Sequence, residues 1–159
     1  MNGLFITIDS RAAGFTLIEV MITLSVLLVI SQLAAPNVTK YFINNTQYSI
    51  SENLRTDLIY ARNHAVTMNM AVDIIYKENG WEIINNITNE KIRENTLEND
   101  NYNIDINKSR IQKIDNRGIW QSPHTIEIKH KKCIDTLTWL TVASIGTISK
   151  RSSPCSQRG

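Results

Sequence analysis

The stretch FTLIEVMITLSVLLVISQLAAP, Phe15 to Pro36, constrains this chain more than any other part of it. As a helix, Phe15 to Ala35 would measure about 31 Å at 1.5 Å per residue, the thickness of a bilayer's hydrocarbon core. Arg11 precedes the stretch and is expected to keep its N-terminal end in the cytoplasm. One charge interrupts it, Glu19. A carboxylate at that depth costs roughly 2.5–3.5 kcal/mol even on lenient insertion scales, so a function is the default expectation for it.

Three readings of the segment compete. A secretory signal peptide would be cut after Leu33-Ala34-Ala35, leaving Pro36 directly behind the cut. An uncut anchor would simply stay in the membrane. Neither accounts for Glu19. In the third reading the chain is cut between Gly14 and Phe15, which creates a new α-amino group at Phe15. Glu19 lies one helical turn further on. In a helical assembly it can pair with the Phe15 amine of a neighbour, so two charges costly alone neutralise each other and fix the docking register.

The residues Arg11-Ala12-Ala13-Gly14-Phe15-Thr16-Leu17-Ile18-Glu19 resemble the class III signal of type IV pilin-like proteins, which comprise the pilins of type IV pili and the pseudopilins of type II secretion systems. The resemblance implies cleavage by prepilin peptidase at Gly14–Phe15, N-methylation of Phe15 and an assembly role for Glu19. It also implies residence in the bacterial inner membrane, with a periplasmic C-terminal domain, before other pilins or pseudopilins are joined. Pro36 stands where many pilins carry a helix-kinking proline; lacking an amide donor, it is expected to bend or loosen the helix at the membrane exit.

Beyond Asn37 the chain turns polar, rich in Asn, Ile, Thr and Lys, and long enough for one core. Ile50, Leu54, Leu58, Ala61, Ala65 and Met68 recur in steps of three and four, the stripe of an amphipathic helix ending near Asn69. Glu52, Arg55 and Arg62 fall on its polar side. Alternation then predicts strands. Val72, Ile74 and Tyr76 share a face within 71–77, and Glu78-Asn79-Gly80 signals a hairpin returning through Trp81–Asn85. Residues 86–101 read as a polar loop. Tyr102, Ile104 and Ile106 alternate, as do Ile126 and Ile128; Leu137–Val142 forms a strand carrying Trp139, Gly146 turns, and Thr147–Lys150 closes the set. The class is α+β, a long N-terminal helix on an antiparallel sheet domain. The expected boundaries are a leader at 1–14, a transmembrane helix at 15–36, an amphipathic helix at 37–69 and the sheet domain at 70–159.

The helix segment from Asp57 to Val66, the Gly80-Trp81 hairpin and the late cysteines resemble the H-type pseudopilins and the FimT/FimU-type minor pilins. An even cysteine count in an exported chain favours a Cys133–Cys155 disulfide over two unrelated buried thiols. Such a bridge would close a loop of about 23 residues, worth on the order of 3 kcal/mol in the chain-entropy account.

No catalytic constellation, phosphate loop or cofactor motif is legible, so a structural role and not an enzyme is expected. His124, His130 and Cys133 lack a fourth ligand for zinc, and Cys133 has a better partner in Cys155. Charged residues make up 20 % of the chain and the net charge is +2, too balanced to imply nucleic acid by itself. A basic cluster, Lys129 to Lys132, and a basic tail with Lys150, Arg151 and Arg158 give a second reading, a pilus-borne DNA-uptake receptor. DNA-receptor minor pilins of the resembled group carry Gly-Arg-x-Arg in this region. The matching stretch here, Gly146-Thr147-Ile148-Ser149, lacks both arginines, and the plain alternative is a solvated basic tail.

Overall fold

The computed structural model describes residues 15–135 and 137–156, with only the backbone described at 33–37. The chain forms two compact units, Met1–Thr39 and Lys40–Gly159. Helix α1 covers Leu17–Thr67. Eight strands follow: β1 Val72–Lys77, β2 Gly80–Asn85, β3 Lys91–Thr96, β4 Tyr102–Ile106, β5 Ile111–Ile114, β6 His124–His130, β7 Thr138–Val142 and β8 Ile148–Ser152.

Within Lys40–Gly159 the helix buries the expected stripe. Ile50, Leu54, Leu58, Ala61 and Ala65 are buried, and the stripe reaches back to Ile43 and Gln47. Met68 does not belong to it: this residue follows the last helical residue and is 54 % exposed. The reason is the helix end. Asn69 takes a left-handed conformation (φ 52°). The Met70 amide then donates to the Ala65 carbonyl at 3.0 Å, and the Asn69 amide donates to the Val66 carbonyl at 3.3 Å. This is a Schellman stop, and it turns the chain off the helix axis two residues after Thr67.

The expected single sheet is two four-stranded sheets, ordered β3-β2-β1-β5 and β4-β6-β7-β8, all of whose pairings are antiparallel. Val72, Ile74 and Tyr76 are buried as the alternation predicts, and Lys77 pairs Gly80 across the two-residue turn Glu78-Asn79. The polar stretch 86–101 is not wholly loop, because β3 lies inside it. Its sequence KIRENT shows no apolar alternation, since it is an edge strand held by ladder bonds to β2 and by ion pairs. Lys91 reaches Glu82 of β2 at 3.6 Å, Lys77 of β1 reaches Glu94 at 3.7 Å, and charges on an edge discourage pairing with other chains.

The core combines the helix stripe with Trp81, Tyr76 and Ile83 of one sheet and Tyr102, Ile104, Ile126, Ile128 and Leu140 of the other, closed by Trp120. Two buried polar side chains of α1 dock it. Gln47 Nε2 donates to the Leu137 carbonyl at 2.7 Å, and Asp57 Oδ2 accepts from Trp81 Nε1 at 2.8 Å. Each ties the helix to a different sheet.

Candidate functional site

The first turn of α1 begins with Thr16 and Glu19. The Glu19 amide donates to Thr16 Oγ1 at 3.2 Å, and the Val20 amide donates to the Thr16 carbonyl at 3.2 Å. Thr16 is thus the N-cap, and Thr-x-x-Glu has the spacing of a capping box. A carboxylate in the first turn also meets the positive end of the helix dipole. The cap contact itself uses the Glu19 amide; the carboxylate adds a local contribution through its first-turn position at the positive end of the helix dipole.

On both sides of Glu19 the chain exposes apolar side chains. Phe15 is 83 % exposed, Leu17 81 % and Leu28 65 %, and Val20, Met21, Ile22, Leu24, Val26, Leu27, Val29 and Ile30 are exposed as well. Its hydroxyls are spent on its own backbone. Thr23 Oγ1 donates to the Val20 carbonyl at 2.9 Å, Ser25 Oγ to Met21 at 2.8 Å and Ser31 Oγ to Leu27 at 2.7 Å. A helix whose hydroxyls are satisfied internally can leave water at little further cost. Among the described residues no helix is long and apolar enough to cross a membrane; the expected span 15–36 runs into 33–37, whose side chains lie outside the described set. Gly14 lies outside the described residues, and Pro36 lies within α1 with its side chain undescribed.

Cys133 and Cys155 form a disulfide, with their Cα atoms 5.3 Å apart. The tail is bound back further: the Ile134 amide donates to the Ser156 carbonyl at 2.9 Å, and the Ser153 amide donates to Leu137 at 2.9 Å. The three histidines are dispersed. His64 stacks on Tyr60 on the helix, with ring centroids 5.8 Å apart. His124 is buried, and its Nδ1–H donates to the Ser122 carbonyl at 3.1 Å. Its Nε2 then accepts from the Tyr76 hydroxyl at 3.2 Å, a pairing that needs the neutral ring. Burial pushes the His124 imidazole below its usual range and the Tyr76 phenol far above its own. His130 Nδ1 accepts from the Lys132 amide at 3.1 Å, and its ring too is held low by burial and then by the Lys132 charge. Among the described residues no group of three or more His, Cys, Asp or Glu side chains is placed to hold a metal ion.

Among the described basic residues read from the sequence, Lys150 and Arg151 fall on opposite faces of the sheet, and Lys129, on the face of Arg151, is neutralised by acids. Lys150 Nζ bonds Glu52 Oε1 at 2.6 Å and lies 4.0 Å from the centroid of the Tyr48 ring, so it serves to pin β8 to the helix. That ammonium holds the Glu52 carboxyl below the usual carboxylate range. Arg151, the next residue on the strand, points to the opposite face of the sheet and pairs in register with Trp139. Lys129 is taken up by Asp105 at 3.1 Å and Glu127 at 3.0 Å. Arg158 lies outside the described residues.

Sequence reasoning missed the cluster around Asp57. Besides Trp81, Asp57 accepts from Arg93 Nη1 at 2.6 Å, and the Arg93 guanidinium sits 5.0 Å from the centroid of the Tyr60 ring. The only available signal was a buried-side acid on an otherwise apolar stripe.

Residues 9–31 match the prokaryotic N-terminal methylation motif. No curated protein matches the chain by sequence. Solved structures of two proteins are among those that share its fold. The type IV minor pilin FimU of Pseudomonas aeruginosa strain PAO1 aligns with a TM-score of 0.58 at 19 % identity, over 69 % of this chain and 90 % of FimU. GspH of E. coli aligns with a TM-score of 0.51 at 15 % identity, over 69 % of this chain and 89 % of GspH. Motif and fold coincide in one molecule: an N-terminal methylation motif leads into a pilin-like α+β fold, a helix on antiparallel sheets. That fold is the one shared with FimU and GspH.

Proposed function

We propose that this protein is a structural subunit, a minor pilin or pseudopilin, of a type IV pilus or of a type II secretion pseudopilus. The observation that carries the proposal is the apolar surface of α1 behind the methylation motif, with Glu19 as the only ionisable residue between Phe15 and Gln32. That much exposed apolar surface on one helix demands a cover. The proposed cover is first the inner membrane, with 15–36 as the single span, and then the helices of neighbouring subunits. Residues 37–69 continue the helix into the periplasmic domain, and 70–159 supply its sheets. In this account residues 1–14 are the leader, prepilin peptidase cuts at Gly14–Phe15, Phe15 is N-methylated, Pro36 eases the helix at the membrane exit, and Glu19 pairs with the freed amine of a neighbouring subunit. No step calls for a cofactor or a catalytic residue.

Mass spectrometry of the N-terminus of the membrane-bound protein tests the processing. A mature chain beginning at N-methylated Phe15 is expected. A chain beginning at Pro36 would contradict the proposal and restore the ordinary signal peptide. The DNA-receptor reading finds no support in the geometry, because Lys150 is committed to Glu52 and Arg151 faces away from it.

A further inference from the structure

The solvent face of the β4-β6-β7-β8 sheet carries two side-chain rows that the assembly role does not use. One row crosses three strands as Glu127, Trp139 and Arg151, paired in register. The next crosses them as Thr125, Thr141 and Ser149. Trp139, Arg151, the three hydroxyl residues and Lys150, whose ammonium is bonded to Glu52, line a groove of ≈ 490 Å³. Trp81 and Trp120 are 1 % exposed, whereas Trp139 is only half-buried, its indole at the centre of a sheet face. We propose that this face is a saccharide-binding platform, on which Trp139 stacks against a sugar ring and Arg151 engages the carboxylate of an acidic, uronate-type sugar. The proposal is independent of the assembly reading.

The chemistry of the lining favours a sugar over a polyphosphate chain. An indole offers a flat apolar surface with an electron-rich face, suited to the C–H side of a pyranose ring. The Thr125, Thr141 and Ser149 hydroxyls each donate and accept, as sugar hydroxyls do, and Thr125 Oγ1 already lies 3.3 Å from Thr141 Oγ1. A phosphate backbone only accepts and is held by clustered cations. Here Lys129 is spent on Asp105 and Glu127 and Lys150 on Glu52, while Arg151 is exposed and joins no ion pair among the described residues. One free guanidinium fork matches one carboxylate in bidentate geometry.

Calorimetric titration of the full chain in lipid nanodiscs, free of sugar detergents, tests this with three probes: trigalacturonate, maltotriose and a thymidylate trimer. Wild type is expected to bind trigalacturonate saturably and more tightly than maltotriose. Trp139→Ala, at unchanged melting temperature, is expected to weaken both by about tenfold. Should that variant fail to fold, Arg151→Gln, altered only at an exposed side chain, carries the test. It is expected to weaken trigalacturonate about tenfold and leave maltotriose unchanged, removing the preference for the acid. Absence of saturable binding of either sugar by wild type overturns the proposal. So does unaltered sugar binding in a folded Trp139→Ala variant, or an unaltered preference in Arg151→Gln. Tighter binding of the thymidylate trimer than of trigalacturonate assigns the groove to nucleic acid and overturns the saccharide.

Discussion

Asp57 is a single side chain that ties α1 to the β3-β2-β1-β5 sheet through two strands. It is 5 % exposed and accepts from Trp81 Nε1 and Arg93 Nη1. Asp57→Ala removes both acceptor contacts and leaves a buried indole N–H unpaired, a loss of about 2–3 kcal/mol. Asp57→Asn keeps an oxygen for the indole, so a smaller loss of about 1 kcal/mol is expected; urea unfolding of the two variants measures the difference. His124 and His130 make the second prediction at this scale. Both are held below the ordinary imidazole value of 6.5 in the folded protein. The unfolded chain therefore binds protons first as pH falls, so stability is full above pH 6.5 and declines below it toward the folded-state values. The carboxylates of Asp105 and Asp115 are held below 3.8 by their hydrogen bonds and cations, and their contribution is lost only in the more acid range below that value. The melting temperature is thus expected to fall between pH 7.5 and 5, with a shallower slope in His124→Gln. Glu19 was legible because a charge within an apolar run is a local signal. Asp57 was not, because Trp81 and Arg93 lie 24 and 36 residues away and spacing along the chain says nothing about such partners.

At the scale of elements, the junction between α1 and the loops after β5 and β7 depends on two glycines. Gly118 (φ 77°) and Gly146 (φ 88°) leave room for the Arg62 side chain, whose Nε donates to the Gly118 carbonyl at 3.0 Å. A Cβ on Gly146 would collide with Arg62 Nε and Cδ and would also sit on a left-handed backbone. Gly146→Ala is expected to cost about 1–3 kcal/mol. Combining it with Arg62→Ala should return part of that loss, since the collision is then gone and only the backbone strain remains; a double-mutant cycle by thermal unfolding reads the coupling. Elements with their own periodic pattern were readable: the helix stripe, the β1–β2 hairpin, β4, β6 and β7. β3 was hidden because an edge strand needs no apolar face, and the four residues of β5 are too short to display a period. The division into two sheets was hidden for a different reason. Alternation tells which residues face inward and leaves open which strands pair, which is settled by contacts between distant segments.

The molecule as a whole joins parts suited to different surroundings. Lys40–Gly159 buries its own core, whereas the described large apolar side chains between Phe15 and Ile30 stay exposed. The apolar run and the N-terminal motif made the second part legible, and the first-turn position of Glu19, three residues after the Thr16 cap, added a local role for the one charge in it. Glu19 thus has two roles to separate, a helix start and an intersubunit charge pair. Glu19→Gln separates them, since Gln serves a capping box as well as Glu but carries no charge for a neighbour's amine. The deciding measurement is the amount of Glu19→Gln protein in sheared filaments, or in the isolated secretion complex, relative to the amount in the membrane. The charge-pair account predicts a normal membrane level, processing to Phe15, and loss from the assembled fraction. Incorporation of Glu19→Gln at the wild-type level would contradict it.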